Sequence, residues 1–162
     1  MRSIGTDTFA MSNPALTSIL LWQFAVSYQQ IKGSGPPLSL LYIVLPIVMS
    51  RRIIGTFRGT NVRTGFLTWL MRTPELTLRL PARVDTTRDL TADAVRFGIA
   101  YGLFTVSRDG SLRANANAIS RGIPRQHGID ERAQMLRVAN HLGRWTSVLP
   151  EATVFYSIGM TP

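Results

Sequence analysis

Residues 95–114 read VRFGIAYGLFTVSRDGSLRA, and this stretch decides the fold class. A helix-like segment runs into an apolar strand, and Asp109-Gly110 then favours a tight hairpin turn before a second strand. The pattern predicts strands at 104–106 and 112–114. Helices are expected at about 61–72, after a Thr60-Asn61 cap, and at 86–101. Together with the hairpin, these helices predict a winged-helix-like half that spans about 60–114.

The chain before this half is strongly apolar. Asn13-Pro14 is a good helix start, because Asn caps and Pro is accepted in the first turn. The helix that follows is apolar around most of its circumference, which predicts burial on several sides. Residues 38–52, LSLLYIVLPIVMSRR, hold Pro46 at their centre and predict a kinked or short helix with Arg51 and Arg52 near its C-terminal end.

The C-terminal part predicts a long helix, a loop and a strand. Residues 115–129 have loop composition, and Asp130 is expected to cap a helix at 131–149. The closing ATVFYSIG at 152–159 is expected to be a strand, and 76–84 stay undecided because of Pro81. We therefore expect one domain over 1–162, mainly α with a small β-hairpin (α+β), in which N- and C-terminal helices pack on the winged-helix-like half.

The composition points towards binding partners. The formal net charge is +9, and Lys32 is the only lysine among 18 Lys and Arg residues. Arginine suits two-pronged contacts with carboxylate or phosphate. A hydrophobic content of 45% indicates a subunit that completes its burial in a homodimer or against a larger subunit. Without cysteine, a signal peptide or a membrane-spanning run, we expect a soluble, cytoplasmic protein.

Catalytic chemistry finds little support in the sequence. His127 and His141 have no acidic partner at useful spacing. The acids Asp85, Asp89 and Asp93 are explained more simply as a response to the dipole of a helix N-terminus. No glycine-rich phosphate loop is present. We therefore expect no enzyme activity, no cofactor and no metal ion.

The winged-helix half has two alternative functions, DNA reading and protein docking. The second helix offers Arg88 and Arg96, yet Asp89 and Asp93 would face phosphate oxygens. The hairpin offers Arg108 and Arg113 on either side of Asp109. Because a protein partner can answer both signs of charge, docking is favoured. A DNA-binding transcriptional regulator of the winged-helix type is the alternative.

Several short motifs occur in the order of a known family. They are NPA at 13–15, Leu45-Pro46, Trp69-Leu70, YGLFTVSRDGSL at 101–112, HLGRW at 141–145 and TVFYSIGMTP at 153–162. In this order the chain resembles the middle components of bacterial three-component ABC-ATPase conflict systems, among which the Menshen type of anti-phage defence is one candidate. The resemblance implies a non-catalytic adaptor subunit between an ATPase of the chromosome-maintenance (SMC-like) kind and an effector, often a nuclease.

Candidate contact residues follow from these considerations. Gly143, inside a helix, predicts a close approach of another element, because glycine costs helix stability. The residues predicted to bind a protein partner are Trp22, Arg108, Arg113, Arg144 and Trp145. DNA contact within the full complex is assigned to the densest basic group: Arg51, Arg52, Arg58 and Arg63.

Overall fold

The computed structural model describes residues 13–119 and 131–162. Within these ranges the helices are α1 (Pro14–Lys32), α2 (Leu38–Leu41), α3 (Val44–Val48), α4 (Arg51–Gly55), α5 (Phe66–Arg72), α6 (Glu75–Ala100), α7 (Glu131–Ser147) and α8 (Glu151–Ser157). Strands β1 (Phe104–Val106) and β2 (Leu112–Ala114) form an antiparallel hairpin. The prediction of a mainly α chain with a small hairpin is confirmed.

Helix α1 is the centre of the fold. Asn13 Oδ1 accepts from the Ala15 amide at 2.9 Å, which confirms the predicted cap, and the helix ends where the Gly33 amide bonds to Gln29 O. Helices α6 and α7 and strand β2 all pack against α1. Its wide apolar circumference is therefore buried on several sides, as predicted.

Close packing between α1 and α7 depends on Gly143. A Cβ atom at this position would collide with the carbonyl oxygen of Phe24 and lie 2.9 Å from Ser27 Cβ. The predicted close approach at Gly143 is confirmed. Ser27 Oγ adds a hydrogen bond of 2.8 Å to Asn140 Oδ1 across the same interface.

The apolar segment after α1 forms short helices, as the central Pro46 predicted. The side chains of α3 are buried, and Pro46 lies within this helix. The position predicted for Arg51 and Arg52 was wrong. Both begin the separate helix α4, where Ser50 Oγ accepts from the Ile53 amide at 3.3 Å, because a serine cap starts a new helix at that point.

Two further boundaries differ from the predictions. Helix α5 begins at Phe66, since Asn61 forms a turn in which its Oδ1 accepts from the Arg63 amide at 2.8 Å. Helix α6 is continuous for 26 residues through Pro81, so 76–84 are helical. Its buried residues, Leu76, Leu80, Val84, Thr91, Ala94, Val95 and Gly98, recur at helical spacing. Burial of this face outweighs the cost of the proline.

The predicted C-terminal strand was wrong, because residues 151–157 form α8. Pro150 precedes the helix and Glu151 stands in its first turn. Val154, Phe155 and Ile158 are buried, at a three- to four-residue spacing that suits a helix packed on one side. The expected cap at Asp130 and most of the 115–129 loop lie outside the described residues.

The order α5, α6, β1, β2 matches the helix, helix, hairpin order predicted for about 60–114. The two helices of this half pack on different elements, most of which lie outside 60–114. Helix α5 contacts α7 and α8, whereas α6 contacts α1, α3 and β1. The winged-helix interpretation rests on element order alone and stays a prediction. Within the described ranges, no helix is both long and apolar enough to cross a membrane.

Candidate partner-binding site

The hairpin is fixed to α1 by hydrogen bonds at its base. Gln29 on α1 holds Ala114 from both directions, since its Nε2 donates to Ala114 O at 2.8 Å and its Oε1 accepts from the Ala114 amide at 3.0 Å. The Leu112 amide donates to Pro36 O at 2.9 Å. Leu112 and Phe104 are buried beneath the sheet. The outer surface of the hairpin is therefore presented on a firm base.

The hairpin tip is built by Asp109 and Gly110. Asp109 Oδ1 accepts from the Ser111 hydroxyl at 2.7 Å and from its amide at 3.0 Å, and these bonds hold the pKa of the Asp109 carboxyl below its ordinary value. Gly110 adopts a φ of +80°, which favours glycine. Asp109 thus stays negatively charged between Arg108 and Arg113.

We call the exposed side chains of Thr105, Arg108 and Arg113 the hairpin face. Thr105 and Arg113 are directly opposite one another in the sheet, and both are exposed. Val106 is 61% exposed although it is apolar. The hairpin therefore presents two guanidinium groups on the hairpin face and the exposed apolar side chain of Val106 on the side of the sheet that it shares with Leu112. Protein interfaces often combine such groups.

Exposed apolar side chains also precede the hairpin. Tyr101 stacks on Phe97 with ring centroids 4.3 Å apart and is 72% exposed. Ile99 is partly exposed in the last turn of α6. Aromatic residues are enriched at protein interfaces. The end of α6 extends the apolar part of the surface that leads into the hairpin.

Both tryptophans predicted to bind a partner lie in the core. Trp22 is 8% exposed and its Nε1 donates to Asn115 O at 2.8 Å. Trp145 is 1% exposed and its Nε1 donates to Asn61 O at 3.2 Å. In this conformation each indole is occupied by its own chain, because the ring is packed and its N–H is satisfied. Partner binding by these two residues would need them to leave the core.

Arg144 is half-buried beside the α1–α7 contact. Its Nε lies 3.4 Å from Asn140 Oδ1, the oxygen that also accepts from Ser27. The side chain therefore takes part in the polar network between the two helices. Its predicted ion pair with a partner stays a prediction.

The predicted DNA-contacting arginines are exposed along α4 and the turns that follow it: Arg51, Arg52, Arg58 and Arg63. Arg51 Nε forms an ion pair of 2.6 Å with Glu131 Oε1 at the start of α7. Arg51 and Arg58 line a cleft together with Arg137 and His141 of α7. The sequence did not predict this meeting, because about eighty residues separate the two halves of the cleft.

His141 is tied into an aromatic cluster. Its ring stacks on Trp145 with centroids 5.4 Å apart, and Phe57 stacks on both Trp145 and His141. Burial, and then the charges of Arg137 and Arg144, lower the pKa of His141, which favours the neutral imidazole. His127 lies outside the described residues. Among residues 13–119 and 131–162, no three His, Asp or Glu side chains are placed to hold a metal ion.

The acids of α6 neutralise the arginines beside them. Arg88 pairs with Asp85 at 3.0 Å and Arg96 pairs with Asp93 at 2.9 Å. The explanation of Asp85, Asp89 and Asp93 by a helix N-terminus was wrong, since all three stand well inside the long α6. A helix surface of paired charges offers little net attraction to DNA phosphates.

The described residues thus form a mainly helical structure with an anchored β-hairpin and a basic cleft. The family model ABC-three component (ABC-3C) system Middle Component 3 (MC3) matches residues 2–162. The chain therefore belongs to the MC3 family and is a component of a three-component ABC system, which confirms the resemblance seen in the sequence. Comparison with curated proteins and with solved structures gave no significant match.

Proposed function

We propose that the chain is a non-catalytic adaptor that bridges the ABC-type ATPase and the effector nuclease of a bacterial defence system. Family membership over 2–162 carries this proposal, because a middle component works with other components of its system. A bridging subunit needs two contact surfaces. The hairpin face is one such surface, and the apolar composition of the chain favours further burial against a partner.

Protein docking explains the hairpin face better than DNA reading does. Asp109 stays ionised between Arg108 and Arg113, and a negative charge at this point weakens attraction to phosphates. The arginines Arg88 and Arg96 of α6 are already paired with aspartates. Exposed Val106 gives a protein partner apolar area that DNA would not use. The transcriptional-regulator alternative gains no comparable observation.

The bridging role is tested by omission. The ATPase and a tagged effector of the same system are co-expressed with this chain or without it. The effector is then purified through its tag, and the amount of ATPase that co-purifies with it is measured. We expect recovery only when the chain is present, in a fixed ratio to it. Equal recovery of the ATPase in its absence would show that the two partners bind each other directly.

The non-catalytic part of the proposal has its own test. The purified chain should neither cleave DNA nor hydrolyse nucleotides, with or without added divalent metal ions. DNA cleavage by a clean preparation that is lost in His127→Ala or His141→Ala would contradict it. A circular dichroism spectrum of each variant separates loss of activity from loss of fold.

A further inference from the structure

The cleft between α4 and α7 has the lining of an anion site. Its volume is about 260 Å³, and its polar lining comprises Arg51, Arg58, Thr60, Gln134, Arg137 and His141. This volume is close to the lower end of small-ligand sites, which run from about 300 Å³ upwards. The cleft thus suits a compact polar group better than a large cofactor.

Two elements of the fold bring these side chains together. Gln134, Arg137 and His141 recur at a three- to four-residue spacing on α7 and share one face of that helix. Arg51 and Arg58 come from α4 and the turn after it. Phe57, in the same turn, stacks on Trp145 of α7 with centroids 5.4 Å apart and planes within 5°. This stacking fixes the two walls of the cleft relative to each other.

The charge in the cleft is incompletely balanced. Arg51 is paired with Glu131, which supplies one carboxylate. Arg58 and Arg137 are exposed, and neither forms an ion pair or a side-chain hydrogen bond with any described residue. Two guanidinium groups at one small cleft therefore remain available to an anion.

His141, a residue that lines the cleft, has a polar atom that is unpaired within the described part of the chain. Its Nδ1 atom is buried and has no hydrogen-bond partner among the described residues. Buried polar atoms in proteins are nearly always hydrogen-bonded, and an unpaired one costs free energy. An acceptor bound in the cleft that His141 lines could relieve this cost if the ring turned to donate to it.

We propose that this cleft binds a phosphate group, carried by a nucleotide or by a nucleic-acid strand, through Arg58 and Arg137. A phosphate monoester carries up to two negative charges and three acceptor oxygens, so it can engage two guanidinium forks and a further donor, whereas a carboxylate carries one charge on two oxygens. Gln134 supplies an additional uncharged donor along the lining. The site is separate from the hairpin face and does not depend on the adaptor role.

The test is a titration of the full-length chain followed by NMR of the His141 imidazole and by calorimetry. Inorganic phosphate, a nucleoside 5′-monophosphate and a short single-stranded oligonucleotide are the three probes. Arg58→Gln and Arg137→Gln remove the proposed contacts. Arg108→Gln is the matched control, since it removes one exposed positive charge from the hairpin instead of the cleft.

We expect saturable shifts of the His141 resonances with phosphate, and a loss of about tenfold in affinity in each cleft variant, the value for one charged hydrogen-bonded contact. Arg108→Gln should bind as the unaltered chain does. Tighter binding of the oligonucleotide than of the monophosphate, with a salt slope that falls by about one in each cleft variant, would identify a strand as the source. Equal affinity for both would identify a free nucleotide.

Three results would overturn the proposal. The first is the absence of His141 shifts with all three probes. The second is an equal loss of affinity in Arg108→Gln, which would indicate general charge attraction instead of a site. The third is binding of acetate or an acidic peptide as tight as that of phosphate, which would make the cleft a carboxylate site for a protein partner.

Discussion

Replacing Gly143 by alanine tests the packing of α1 against α7. Helix α1 holds the hairpin through Gln29, and α7 forms one wall of the basic cleft. The new methyl group would collide with Phe24 O and lie 3.0 Å from the Tyr28 amide nitrogen. Both atoms belong to the backbone of the buried helix α1, so neither can rotate away as the end of a flexible side chain would. Gly143→Ala must therefore push α1 and α7 apart.

The expected loss of stability follows from two opposing effects. Overpacking of a well-packed core costs about 1–3 kcal/mol, and contact with backbone places this site at the upper end. Alanine returns about 1 kcal/mol through its better helix propensity. The net expectation is a decrease of about 2 kcal/mol in the free energy of unfolding, measured by urea denaturation with circular dichroism.

Gly55→Ala is the matched control. It lies in α4, and a Cβ atom built there meets no atom within 4 Å. This variant should be neutral or up to about 1 kcal/mol more stable. The reasoning fails if Gly143→Ala is as stable as the unaltered chain, or if Gly55→Ala loses as much.

Two further predictions concern His141 and Gln29. Burial lowers the pKa of His141 in the folded chain, so the unfolded chain takes up a proton first as the pH falls below about 6.5. The free energy of unfolding should therefore decrease as the pH falls from about 7.5 to about 5.5. Urea titrations at these two pH values should show a smaller decrease in His141→Gln than in the unaltered chain. An equal decrease in the variant would assign the effect to other groups. Gln29→Ala removes both hydrogen bonds to Ala114 and should cost about 1–2 kcal/mol, with faster hydrogen exchange confined to the hairpin. Unchanged exchange at Ala114 would contradict the role given to Gln29.

Local signals were enough to predict the elements whose stability is decided nearby. The Asn13 cap and the Asp109-Gly110 turn depend on backbone chemistry within a few residues, and both were confirmed. The β-branched, aromatic composition of 152–159 indicated a strand and Pro81 left 76–84 undecided, whereas both segments lie largely in helices. In each of these segments, burial of one helical face against the core outweighs the local propensity.

The candidate site was less predictable, because it depends on distant parts of the chain. The exposed position of Arg113 follows from the alternation of a strand, and that of Arg108 from its place in the turn, and the sequence indicates both. The meeting of Arg58 with Arg137 follows from the packing of α4 on α7, which no local pattern encodes. Trp22 and Trp145 show the same limit, since an aromatic residue in a helix suits a core and an interface equally.

The most direct test of the adaptor account is the affinity of the complex when the hairpin face is altered. The double variant Arg108→Ala with Arg113→Ala is compared with a control that also loses two exposed arginines, Arg88→Ala with Arg96→Ala on α6. Binding to the ATPase and to the effector is measured separately by biolayer interferometry, alongside binding to a short DNA duplex. The account predicts that the hairpin variant loses about tenfold or more in affinity for one protein partner. The control variant should keep both protein affinities, and any binding to the DNA duplex should be the same in both variants. Tight, sequence-selective DNA binding that only the hairpin variant loses, with both protein affinities intact, would contradict it.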